Sequence, residues 1–64
     1  MSEEIKELKK GLAKRKRMAV EIASEIHDIV EDTLWVDYVK MPELSEKLKV
    51  AVEEANKFKE ENGL

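Results

Sequence analysis

Large apolar residues return every three or four positions from the start of the chain: Ile5, Leu8 and Leu12, then Ala19, Ile22, Ile26 and Ile29. That spacing is a heptad seam, the mark of a helix with one apolar side. Ser2 followed by Glu3 and Glu4 gives it a start, since the hydroxyl accepts from an unpaired amide and the carboxylates favour the positive end of the dipole. The pattern predicts a first helix over about residues 2–32. Arg15 occupies one position of the series and is expected to reach outward or to pair with an acid on a facing helix. Gly11 costs about 1 kcal/mol relative to Ala inside a helix, so it marks either a close approach or a fray point.

Beyond Asp32 the segment Thr33-Leu34-Trp35-Val36 is β-branched and aromatic but too short for a useful strand, and a hydrophobic turn over residues 33–41 is predicted. Asp37 is expected to cap a helical turn through Tyr38 to Lys40. Pro42 suits an early helical position, where its missing amide would be unpaired anyway. Met41, Leu44, Leu48, Ala51, Ala55 and Phe58 then repeat the three-four spacing, and Asn62-Gly63 supplies a stop. A second helix over about residues 42–61 follows.

Folding one seam onto the other sets Ile29 against Leu44, Ile26 against Leu48, Ala19 against Ala55 and Arg15 near Phe58. The fold class predicted is all-α: an antiparallel helical hairpin forming one domain over residues 1–64. At this length a single core is marginal. A second apolar stripe of Val20, Ala23, Val30 and Leu34, extended by Val50 and Val52, also needs cover. Dimerisation of the hairpin into a four-helix bundle buries both stripes, so a homodimer or higher homo-oligomer is expected. Met18 and Met41 read as core fillers.

Charge sharpens the picture. The net value of −3 hides a division: residues 1–20 carry seven basic and three acidic side chains, and residues 21–64 carry five basic and twelve acidic ones. Antiparallel pairing brings Lys14 to Arg17 beside Glu53, Glu54, Glu60 and Glu61. The same basic run offers a reading as an RNA-binding hairpin, but no aromatic residue interleaves it, acids oppose it and the whole chain is acidic. Nucleic acid is therefore disfavoured as a partner.

There is no cysteine, which excludes disulfides and thiolate chemistry. Apolar runs reach at most three residues and the start is charged rather than signal-like, so no membrane partner and a cytoplasmic location are expected. No Gly-rich phosphate loop and no nucleophile beside a base are present, and a two-helix protomer offers little concave surface. The reading is non-enzymatic.

The chemistry left concentrates between Ile26 and Leu44, which holds the only His, Trp, Tyr and Pro. His27 and Glu31 stand four apart on a helix, a spacing at which both can ligate one divalent metal and a nearby two-fold axis would double the donors. The plainer alternative is a hydrogen-bonded His27 at an interface with Glu31 as its partner. Ser24 stands where the Glu of a di-iron Glu-x-x-His motif would be. Trp35 and Tyr38 are expected to pack across the end of the bundle; exposed instead, they would anchor a protein partner, with Asp28 and Asp32 beside them.

His27-Asp28, Glu31-Asp32, Asp37 before an aromatic, and Met41-Pro42-Glu43-Leu44 together resemble the signature of the small Rop-like proteins associated with nitrogen-fixation gene clusters. Tyr38 stands where that family usually carries Trp, and Trp35 is displaced into the turn. The resemblance covers about residues 8–61 and implies a short helical accessory protein of nitrogen fixation, whose partner would be nitrogenase or its cofactor-assembly machinery.

Overall fold

The computed structural model describes residues 2–64, and residues 3–61 are helical throughout. Helix α1 spans Glu3–Asp28 and is followed by a π-helical turn, Ile29–Thr33. The short α2, Leu34–Asp37, leads through a 3₁₀ turn, Tyr38–Lys40, into α3, Met41–Glu61. No strand occurs among the described residues. A straight helix of this many residues would be about 90 Å long, whereas the molecule measures 50 × 17 × 10 Å. The chain doubles back, and α3 lies against α1.

Direction and register follow from side chains that meet. Arg15 sits over the Phe58 ring, 3.9 Å from guanidinium carbon to centroid. Further along, Met18 and Ile22 share a groove with Val50, Ala51 and Glu54. Numbers rise on one helix as they fall on the other, so the two run antiparallel. The four most buried side chains are Ala19, Ile29, Leu44 and Ala55. None of them lies below 2% exposure, and the core is one residue deep.

Local chemistry fixes both ends. Ser2 Oγ accepts from the Ile5 amide at 3.3 Å, the N-cap read from the sequence. At the other end Leu64 N–H donates to the Lys59 carbonyl at 2.9 Å and Gly63 N–H to that of Glu60 at 3.3 Å, with Gly63 at φ 63°. This is a Schellman motif, and glycine supplies the left-handed residue it requires.

Several expectations are corrected here. The connection read as a hydrophobic turn is itself helical. Its inward positions step from Ile29 to Leu34, a gap of five residues that matches the wider π turn. Backbone angles leave the helical region at Thr33 (φ −126°, ψ 21°), and Asp37 (φ −89°, ψ 3°) sits at its margin, so the reversal needs no positive φ. Asp37 does not cap the 3₁₀ turn, but lies half-buried with Oδ1 3.7 Å from Lys40 Nζ.

Arg15 neither reaches outward nor pairs with an acid. It donates to the Gly11 carbonyl at 3.0 Å and covers Phe58, whose ring a Cβ on Gly11 would meet at 3.1 Å. Gly11 is therefore the point of close approach between the helices. Among the described residues no ion pair joins Lys14 to Arg17 with α3; the pairs are local, such as Lys47–Glu43 at 3.4 Å and Lys57–Glu61 at 3.9 Å. Within one protomer Met18 is exposed, in the groove it shares with Ile22, Val50 and Ala51.

Candidate functional site

The doubled-back end of the molecule is built by the π turn, α2 and the 3₁₀ turn, which together set four large apolar side chains in solvent. Trp35 is 88% exposed, Val36 75%, Val39 67% and Tyr38 58%. Trp35 lies three and four positions from Tyr38 and Val39, and Val36 lies three from Val39, spacings that make neighbours on a helical surface. Leu34 and Met41, by contrast, turn partly inward and hold this end on the α1–α3 seam. Within one protomer Trp35 and Tyr38 are exposed, the arrangement that the sequence offered beside their packing across the bundle end.

Acids are dense in the same stretch of chain. Asp28 ends α1, Glu31 and Asp32 lie in the π turn, and all three are exposed. Asp32 and Thr33 line a shallow pocket with Trp35, Val36 and Asp37, so an acid and the tryptophan share one concavity. Asp28 lies outside that pocket. From residue 28 to residue 43 there are five acids, Asp28, Glu31, Asp32, Asp37 and Glu43, and one base, Lys40. Lys40 is paired with Asp37.

His27 and Glu31 come together as their spacing predicts, Nε2 to Oε1 at 3.2 Å, with both side chains largely in water. Among the described residues no group of three or more His, Asp or Glu side chains converges, so one protomer offers this pair of donors. A metal bound there would complete its shell with water or with donors from a second copy. The basic run presents three cations on the surface, Lys14, Lys16 and Arg17, because Arg15 is turned onto Phe58.

Sequence reasoning found Trp35 and Tyr38 but missed Val36 and Val39 as part of the same surface. The signal was the density of large apolar residues from Leu34 to Val39, in a stretch without the Gly or Asn that would have made it a loop.

A doubled-back chain, helical over residues 3–61, defines a small helical-hairpin protein. The chain belongs to the Rop-like family, which it matches over residues 3–61. No curated protein and no solved structure matches it. Among the described residues no helix is long and apolar enough to cross a membrane.

Proposed function

We propose that the protein is a non-enzymatic accessory protein that self-associates as a four-helix bundle and acts by docking its doubled-back end onto another protein. The observation that carries this reading is the exposure of Trp35, Val36, Tyr38 and Val39, side chains whose release from water is a main source of interface energy. Self-association is supported by the thin core and by the apolar groove of Met18, Ile22, Val50 and Ala51 running along both helices. The signature from His27 to Leu44 makes a nitrogenase-related protein the partner to test first. Calorimetric titration with purified nitrogenase components should give saturable binding that Trp35→Ser abolishes. Absence of heat with every component would remove nitrogen fixation from the proposal.

A second reading rests on the His27–Glu31 pair, already at 3.2 Å and open to solvent. In it the two side chains bind a divalent metal with the same pair from a second copy. Titration with Fe(II), Ni(II) or Zn(II) should then show one metal per two chains, lost in His27→Ala while helicity stays. Silence with all three metals would leave the pair as a local hydrogen bond.

A further inference from the structure

We propose that the doubled-back end takes a cationic, apolar-centred protein surface: a partner presenting Lys or Arg around a patch of Leu, Ile or Val. This rests on the docking reading above and adds to it the chemistry of the partner. The apolar part follows from the exposed row of Trp35, Val36, Tyr38 and Val39. The cationic part follows from what rims it. Asp32 shares a shallow concavity with Trp35 and Val36, Asp28 and Glu31 are exposed on the turns that lead into it, and the single Lys or Arg of residues 28–43, Lys40, is held 3.7 Å from Asp37. Glu31 has His27 at 3.2 Å and Glu43 has Lys47 at 3.4 Å, which leaves Asp28 and Asp32 as the acids of this segment with no ion pair among the described residues.

The same geometry selects against the other occupants. A second copy presenting its own doubled-back end would set the unpaired Asp28 and Asp32 of one chain towards those of the other, and like charges facing one another across an interface are repulsive. An anionic membrane is repelled for the same reason. A cationic surface gains attraction at long range and, on contact, covers the aromatic pair; the rim charges set on-rate and orientation while Trp35 and Tyr38 supply most of the affinity.

The chain's single tryptophan lies in the patch, so its emission reports on occupancy directly. The full chain is titrated with a short amphipathic Leu/Lys helical peptide, with a Leu/Glu peptide of equal length and with zwitterionic vesicles. The Leu/Lys peptide should blue-shift Trp35 and bind less tightly as salt rises. Neutralising the rim with Asp28→Asn, Glu31→Gln and Asp32→Asn should weaken it by about tenfold. Neutralising acids far from the patch, Glu53→Gln and Glu60→Gln, should change it by less than about twofold.

Equal loss in the two sets of variants would mean diffuse attraction to an acidic protein and would overturn the proposal. A blue shift with the Leu/Glu peptide or the vesicles that matches the Leu/Lys peptide would overturn the cationic preference while leaving docking by this end intact. No shift with any probe overturns the inference too, and the docking reading is then decided by its own titration with nitrogenase components. Sedimentation of Val36→Ser/Val39→Ser completes the test: an unchanged oligomer is expected, and dissociation would assign the patch to a second copy.

Discussion

At the scale of single residues, the contact that governs the open end is the stack of Gly11, Arg15 and Phe58. A Cβ on Gly11 would lie 3.1 Å from Phe58 Cζ and 3.3 Å from Arg15 Nη1. Both neighbours are the far ends of side chains in a half-buried setting, and each can move by the few tenths of an ångström required. The helix-propensity gain should therefore win: Gly11→Ala is expected to raise stability by less than about 1 kcal/mol, read from the urea midpoint. Gly11→Leu has no such room and should lower it. Phe58→Ala removes both the cation–π contact and partial burial, and a cost of about 1–2 kcal/mol is expected in the same measurement. The sequence placed Arg15 near Phe58 because the antiparallel register does so. It did not disclose that the ring, rather than an acid, receives the guanidinium, since spacing fixes which residues meet and not which rotamer each adopts.

At the scale of elements, both long helices and the Ser2 cap were legible because periodicity and capping are local signals. The π turn was not. Its trace was the five-residue step from Ile29 to Leu34, which a search for three-four spacing assigns to a second stripe instead. The exposure of Trp35 was equally hidden, because the same apolar run reads as core until the reversal is placed. Cross-helix charge pairing was read from the register and the charge division, yet among the described residues the ion pairs form three and four residues apart along the chain. Side chains on exposed faces find local partners at less entropic cost than distant ones. Reversing Glu53 and Glu54 to Lys should accordingly change stability by no more than about 0.5 kcal/mol at low salt. A loss several times larger, relieved by salt, would show that Lys14 to Arg17 engage α3 after all.

At the scale of the whole molecule, four buried side chains, two of them alanine, form too thin a core to hold 64 residues by themselves. Folding is expected to depend on association. Sedimentation equilibrium at micromolar concentration should find at least a dimer, and the melting temperature should rise with protein concentration. Ile26→Asp, which sets a charge on the half-buried seam, should dissociate and unfold the protein together. A helical monomer whose melting is independent of concentration would defeat this account.

The helical connection also determines how this end can be read by anything that meets it. Turns of π, α and 3₁₀ helix direct most of their amides and carbonyls to one another, so the reversal exposes no extended edge for a strand to join and no loop to be threaded into a cleft. Recognition at this end falls to side chains alone. Its specificity can then be rewritten by exchanging Trp35, Val36, Tyr38 and Val39 for other residues while the backbone that carries them stays as it is.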